Sequence, residues 1–412
     1  MEKTPKGFRL HIGIFGRRNV GKSSLLNAIT RQAVAIVSDV AGTTTDPVEK
    51  PMELLPIGPV LFIDTAGIDD VGDLGEMRIQ RTRQIFDRTD IGVIVAGEGG
   101  WAQFEQTMLE ELDHREIPAI VVFNKSDLYE PPADVLEDLA GRDVPVVRTV
   151  APSGEGVLDF REALIRQAPE DFINAPAILG DLIPPGELVM MVVPIDLEAP
   201  RGRLILPQVQ SIRDTLDHNA YCMVAKESEL RDALARLNRP PALVVTDSQA
   251  FAQVAAETPP DIPLTGFSVL FARAKGDLNE FVRGVTAIDR LRPGDRVLIA
   301  EACTHHPIGE DIGRVKIPRW LQQRVGGELH FDVTQGHDFP DDPSGYQLIV
   351  HCGACMWNRR EVLSRMVRCR KAGVPIANYG LTIAHSLGIL QRALSPFPEA
   401  LETFRNLQPQ QQ

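Results

Sequence analysis

No apolar run in this 412-residue chain approaches the roughly 18 residues a helical membrane span needs. The first residues, Met-Glu-Lys-Thr-Pro-Lys, also lack the apolar core of a signal peptide, so a cytosolic protein without a membrane partner is expected. Basic charge is in short supply: 43 Lys and Arg stand against 56 Asp and Glu, a formal net charge of −13, with no long basic run. Nucleic-acid binding draws most of its affinity from neutralising phosphates, so RNA and DNA are unlikely partners. Cysteine is scarce and odd in number, five in all, which in a cytosolic chain argues against a disulfide framework. Three of the five fall at Cys303, Cys352 and Cys355, which suggests metal instead.

What is present is an α/β pattern too long for one core. Apolar strands are expected at Leu10–Phe15, Val60–Asp64, Ile91–Ala96 and Ala119–Asn124, with a helix over Lys22–Arg31, the rhythm of a parallel, helix-covered sheet. Asn174–Glu187, with Pro176, Pro184 and Pro185, reads as a linker. A second stretch offers strands at Leu188–Ile195, Tyr221–Ala225 and Ala242–Thr246, and helices at Gln208–Asp217, Glu227–Leu237 and Gln249–Thr258. A third offers strands at Arg296–Ala302, Glu328–Val333 and Gln347–His351, and helices at Ile317–Val325, Glu361–Ala372 and Ile383–Leu394. The expected domains are therefore 1–172, 173–264 and 265–412.

Gly16-Arg17-Arg18-Asn19-Val20-Gly21-Lys22-Ser23-Ser24 fits G-x-x-x-x-G-K-[ST] between a strand and a helix, the context that gives the pattern meaning. The glycines let backbone N–H groups approach phosphates at a positive helix end. Lys22 reaches the β- and γ-phosphates, and Ser23 is a magnesium ligand. Asp64-Thr65-Ala66-Gly67 closes a strand; Asp64 is placed to hold magnesium through water and the Gly67 N–H to meet the γ-phosphate. Asn124-Lys125-Ser126-Asp127 selects the base. The Asp127 carboxylate can accept from both N–H groups on one edge of guanine, whereas adenine leaves it unpaired, at about 1–3 kcal/mol or more. Each motif alone can be an ordinary turn; three in order point to GTP.

This set, with Gly42-Thr43-Thr44-Thr45-Asp46, resembles the translation-factor-related GTPases that include the tRNA-modification and ribosome-assembly enzymes. The resemblance implies that Thr44 closes over magnesium in the triphosphate state, and that the Ala151 N–H meets the guanine oxygen, although Val150 stands where that family usually has Ser. It also implies a potassium site at Asn19 and the loop before Thr43. Potassium there would stabilise charge developing between the phosphates; as a plain turn former, Asn19 would have no such role. Ile68 follows Gly67, where many switch GTPases place a water-orienting glutamine. No side chain then serves as general base, so slow intrinsic turnover is expected.

Cys303 and His305 follow one expected strand, and His351, Cys352 and Cys355 close another. Parallel α/β sheets gather strand carboxyl ends along one edge. A Cys₃His set suits tetrahedral zinc, slightly favoured on spacing, and thiolates suit iron–sulfur equally, so residue types leave both open. His306 is open between ligand, support and helix cap, and Cys222 and Cys369 read as unassigned thiols. Arg359 and Arg360 read as a solvated first helical turn rather than as partners of an anion. Cys303-Thr304-His305 with His351-Cys352-Gly353-Ala354-Cys355 resembles the C-x-H…H-C-x-x-C signature of the FeFe-hydrogenase maturation GTPases, and the three-part layout matches that family across essentially the whole chain. The resemblance implies a middle dimerisation domain and a homodimer. It implies a 4Fe–4S cluster on Cys303, Cys352 and Cys355, with a labile fourth position to which His305 or His351 are candidates. It implies a scaffold carrying a transient diiron subcluster precursor, with apo FeFe-hydrogenase and two radical-SAM maturases as partners. Two other readings stay in play: a tRNA- or ribosome-associated GTPase, and a zinc-bearing or redox-sensing GTPase.

Overall fold

The computed structural model describes residues 5–32, 48–54, 57–64, 83–169, 177–194, 204–302 and 311–408. The chain is α/β and divides into two compact units, Met1–Ala175 and Pro176–Gln412. In the first, β1 (Leu10–Phe15), α1 (Lys22–Gln32), β2 (Val48–Leu54), β3 (Gly58–Asp64), β4 (Ile91–Ala96), α2 (Gln103–His114), β5 (Ala119–Asn124), α3 (Ala133–Gly141), β6 (Val146–Thr149) and α4 (Val157–Gln167) follow in order. The sheet runs β2-β3-β1-β4-β5-β6, parallel except for β2 against β3. Strands β1 and β4 are buried along their whole length, because helices cover both faces of a parallel sheet. One face packs on Leu25, Leu26 and Ile29 of α1 and Phe160 and Leu164 of α4. The other packs on Leu109 and Leu112 of α2 and Leu139 of α3. Each such side chain contributes about 1.5–3 kcal/mol by leaving water, and together they fix the strand ends from which the phosphate and base loops project.

The second unit holds two parallel four-stranded sheets. The first comprises β7 (Leu188–Val192), β8 (Tyr221–Ala225), β9 (Leu243–Thr246) and β10 (Leu264–Gly266), in the order β10-β9-β7-β8. Its helices are α5 (Leu206–Asp217), α6 (Leu230–Ala235) and α7 (Phe251–Glu257). Helices α8 (Phe267–Lys275) and α9 (Leu278–Thr286) lead to the second sheet. That sheet comprises β11 (Arg296–Glu301), β12 (His330–Gln335), β13 (Leu348–His351) and β14 (Ile376–Asn378), in the order β12-β11-β13-β14, with α10 (Ile317–Val325), α11 (Arg359–Lys371) and α12 (Tyr379–Ser386). Helices α13 (Leu390–Ala393) and α14 (Pro398–Leu407) end the unit. The two parts are stitched together: Arg392 donates to the carbonyls of Pro259, Pro260 and Ile262 at 2.6–2.7 Å, and Thr265 Oγ1 donates to the Ala393 carbonyl at 2.9 Å.

Several expectations change. The single helix expected over Ile383–Leu394 is two, α12 and α13, parted at Gly388, whose φ of 73° ends the helical path. Strand β12 starts at His330 rather than Glu328, and α6 is short, preceded by a 3₁₀ turn over Glu227–Glu229. Strand β10 begins where the middle domain was expected to close, and it pairs with β9, so that sheet continues past 264. Arg359 is not a solvated residue: its guanidinium donates to the carbonyls of Arg273, Ala274 and Gly276 at 3.4, 3.0 and 3.1 Å and so caps the end of α8. Among the described residues no helix is long and apolar enough to cross a membrane.

Candidate functional site

The phosphate loop is built by backbone conformations that only certain residues adopt at low cost. Gly16 and Gly21 take φ of 157° and 95°, and Asn19, of a type that tolerates the left-handed region, takes 66°. Helix α1 begins at Lys22 with no acidic residue in its first turn, so its positive end stays uncompensated for phosphate. Lys22 Nζ rests on the carbonyls of Gly16 and, at 2.9 Å, Arg17, the lining that a β/γ-phosphate would face. Ser23 Oγ donates to Asp64 Oδ2 at 3.1 Å, which puts the hydroxyl and the carboxylate expected around magnesium side by side. Arg18, Asn19, Ser23 and Ser24 are exposed, and Val20 is buried beneath the loop.

Asn124 ties three segments together. Its Nδ2 donates to the Val20 carbonyl at 2.9 Å, and its Oδ1 accepts from Thr149 Oγ1 at 3.0 Å and from the Ala151 N–H at 3.2 Å. The phosphate loop, β6 and the loop after it therefore share one buried amide, and here the Ala151 N–H is directed at Asn124. Lys125 has a φ of 60°, which swings it and the exposed Asp127 away from the end of β5. Thr43, Thr44, Gly67 and Ile68 lie outside the described residues.

One contact at this site is illegible in the motif. Arg17 Nε donates to Glu105 Oε1 at 2.8 Å, and Arg17 Nη2 donates to the carbonyls of Gly99, at 3.0 Å, and Gly100. Glu105 is wholly buried, and its Oε2 accepts the Ala102 N–H at 3.0 Å at the start of α2. The carboxylate thus clamps the phosphate loop to α2. Glutamate three residues past the start of a helix is the only sequence signal for it.

In the second unit the carboxyl ends of β11 and β13 lie side by side, with Ala300 opposite His351. Of the five expected ligands, the described residues bring together His351, Cys352 and Cys355; Cys303 and His305, with His306, lie outside them. Ala302, the residue before Cys303, donates its N–H to Cys352 Sγ at 3.0 Å, and the Ala354 N–H approaches the same sulfur at 3.5 Å. Ala354 takes a φ of 48°, uncommon for a residue with a Cβ, and so curls the Cys352–Cys355 turn. Burial pushes the Cys352 thiol up to about 11, against the two N–H groups, and raises that of Cys355 against the pull of Lys275.

His351 is fully buried, and both ring nitrogens are engaged. Nδ1 lies 2.8 Å from the Cys352 carbonyl, an acceptor only, so it carries the proton. Nε2 lies 3.3 Å from Arg365 Nη1, a donor only, so it accepts. Burial and the Arg365 charge bring the imidazole down to about 3, keeping it neutral. As placed, His351 supports the turn and offers no free nitrogen to a metal. Among the described residues no group of three or more His, Cys, Asp or Glu side chains could hold a metal ion. The thiols of Cys352 and Cys355, with two N–H groups aimed at the Cys352 sulfur, are chemically suited to a thiolate-bound group.

Comparison with known proteins places these parts. A 50S ribosome-binding GTPase model matches residues 11–125, a hydrogen maturase F dimerization domain matches 178–276, and a hydrogen maturase F tetramerization domain matches 279–396. The chain belongs to the hydrogen maturase F family. The family's dimerization model runs through β10 and α8, in keeping with the sheet, and its two domains together take in more than half of the chain. The tRNA modification GTPases MnmE are relatives of this chain's GTPase part. A tRNA modification GTPase MnmE of Synechococcus sp. (strain JA-2-3B'a(2-13)) is 41% identical over 157 residues, 37% of this chain and 32% of that protein. The MnmE of Heliobacterium modesticaldum is 36% identical over 157 residues, 37% of this chain and 33% of that protein. The chain spans about a third of the length of these relatives. Among solved structures, the G domain of the T. maritima FeoB iron transporter is 22% identical, covering 39% of this chain and 99% of that one at a TM-score of 0.31.

Proposed function

We propose that this hydrogen maturase F family chain is a GTP-hydrolysing scaffold or carrier. It assembles or delivers a diiron subcluster precursor, bearing carbonyl and cyanide ligands, to apo FeFe-hydrogenase. The observation that carries the reading is the union in one chain of a GTPase domain with both maturase domains, the second bearing the Cys352–Cys355 turn beside the strand that leads to Cys303.

In the first unit Lys22 and the backbone around Gly16–Gly21 hold the β- and γ-phosphates of GTP, while Ser23, Asp64 and Thr44 serve magnesium. Asn19 contributes to a potassium site, and the Gly67 N–H meets the γ-phosphate. Asn124, Lys125, Asp127 and the Ala151 N–H receive guanine. With Ile68 beside Gly67 no side chain acts as base, so turnover relies on positioning and cationic charge and is slow. In the second unit Cys303, Cys352 and Cys355 hold a 4Fe–4S cluster. With both nitrogens of His351 engaged, the fourth position falls to His305 or solvent. When bound, the cluster supplies an exchangeable iron to which a cyanide nitrogen of the cargo can attach. Nucleotide state governs contact with the two radical-SAM maturases and the hydrogenase, and the protein works as a homodimer or higher oligomer.

Co-expression with the two radical-SAM maturases, followed by anaerobic purification, tests the reading. Infrared bands of metal-bound carbonyl and cyanide on this protein support it. Their absence from protein that carries its iron and sulfide overturns the carrier role.

A further inference from the structure

The sheet of the first unit ends at β6, and the register of that strand fixes which of its amide groups face outward. Val146 lies opposite Val121 and Arg148 opposite Phe123, in parallel. The Pro145 carbonyl accepts from the Val121 N–H at 2.9 Å and the Thr149 carbonyl from the Ser126 N–H at 3.2 Å, so the odd-numbered residues bond inward. The residues between them turn their N–H and C=O groups the other way. Val146 and Arg148 therefore present theirs to the outer edge, and among the described residues nothing meets those of Val146. Pro145 belongs to the inward set, so it removes no outward donor. The edge closes farther on, where the Val150 N–H donates to the Glu155 carbonyl at 3.0 Å.

A groove of about 650 Å³ follows this edge, between the end of α3 and α4. Asp143, Asp159, Glu162 and Arg166 line it together with the strand. Arg166 lies 3.5 Å from Glu162, whereas Asp143 and Asp159 have no ion-pair partner among the described residues. Arg148, the one cation of β6, does not line the groove and stands 3.8 Å from Glu130. Helices α3 and α4 cover opposite faces of the sheet, so alternate side chains of an added strand would point toward one helix or the other. Main-chain hydrogen bonds would hold such a strand, and the flanking carboxylates would select it. A second copy of this chain is a poor occupant, because edge-to-edge pairing would bring two sets of the same carboxylates together.

We propose that the β6 edge docks an extended, basic segment of a partner protein, which joins the sheet as an outer strand. The proposal is independent of the cluster reading. Strand β6 ends at Thr149, which donates to Asn124, so the partner is held beside the loops expected to receive guanine.

The test uses the full-length chain loaded with GDP and a fluorescein-labelled Lys-Val-Lys-Val-Lys-Val peptide. Fluorescence anisotropy is expected to show saturable binding at submillimolar peptide. Hydrogen exchange in the 144–150 stretch should slow about fivefold or more as the outward amides gain acceptors. The same peptide N-methylated at every residue keeps its charge but cannot donate main-chain bonds, and should bind about tenfold more weakly. Asp143→Asn combined with Asp159→Asn should weaken binding about fivefold; asparagine tolerates the φ of 56° at position 143. A Glu-Val-Glu-Val-Glu-Val peptide should not bind. No saturable binding of the lysine peptide, equal binding of its N-methylated form, or binding without protection at 144–150 overturns the added strand. Equal binding of the glutamate peptide, or undiminished binding to the double variant, overturns the choice of a basic partner.

Discussion

Replacing Glu105 with Ala isolates the clamp between the phosphate loop and α2. The carboxylate is fully buried and holds Arg17 at 2.8 Å and the Ala102 N–H at 3.0 Å. Breaking a fully buried pair typically costs 3–5 kcal/mol, but the Arg17 side chain is 32% exposed and can be rehydrated, which reduces that figure. A charged hydrogen bond at about 1.5–3 kcal/mol and a helix-start bond at about 1 kcal/mol bracket the remainder, so we expect a loss of about 2–3 kcal/mol from the GTPase unit. For a unit of this size that is a fall of about 5–10 °C in the midpoint of its thermal transition. Glu105→Gln, which keeps the shape and can satisfy one partner, loses about half as much. The assay is differential scanning calorimetry of the full chain, with and without GDP, supplemented by nucleotide titration. The loosened loop is expected to weaken GDP binding about tenfold. A midpoint within 1 °C of wild type, together with unchanged GDP affinity, would refute the claim that this carboxylate anchors the loop.

Other expectations follow from individual groups. Burial works to raise Glu49, but Arg88 at 2.6 Å and Lys6 overcome it and hold the carboxyl at about 2, below its ordinary 4.5. The folded value is the depressed one, so the stabilisation is complete above about pH 5 and drains away as pH falls toward 2. Wild type should therefore lose about 2–3 kcal/mol relative to Glu49→Gln across that window in acid unfolding. Asp127→Asn should cut GTP affinity about a hundredfold while improving xanthosine triphosphate, whose C2 carbonyl can accept from the new amide; competition binding reads both. Replacing potassium with sodium should slow phosphate release in wild type and have little further effect in Asn19→Ala.

The parts of the fold visible in the sequence are those whose burial is symmetrical and whose ends are marked. Strands β1, β4 and β5 are mainly apolar because both faces are covered, and their limits come out as expected. Strand β2 does not look like a strand: Val48–Leu54 carries Glu49, Lys50 and Pro51, tolerable only because it is an antiparallel edge strand. Strands β10 and β14 have three residues each, too few for any periodicity to register. Helix α8 escapes notice for the opposite reason, being buried nearly all round, so it presents no polar face. The nucleotide site is legible because its chemistry sits in contiguous motifs whose geometry is local. The surroundings of the cysteines are not. Arg365 stands four residues after Glu361, which on a sequence reads as an exposed helical pair, yet its guanidinium is stacked against Trp357 and aimed at His351. Lys275 is remote in sequence from the turn beside which its Nζ meets the Trp357 carbonyl.

Everything proposed for the second unit depends on thiolates from two neighbouring strand ends holding iron together. The direct measurement is iron, acid-labile sulfide and zinc content of anaerobically purified protein, wild type beside Cys303→Ala and Cys352→Ala. The account predicts about four iron and four sulfide per wild-type chain, with most lost in either variant. Stoichiometric zinc in place of iron, or iron and sulfide undiminished by Cys303→Ala, would contradict it.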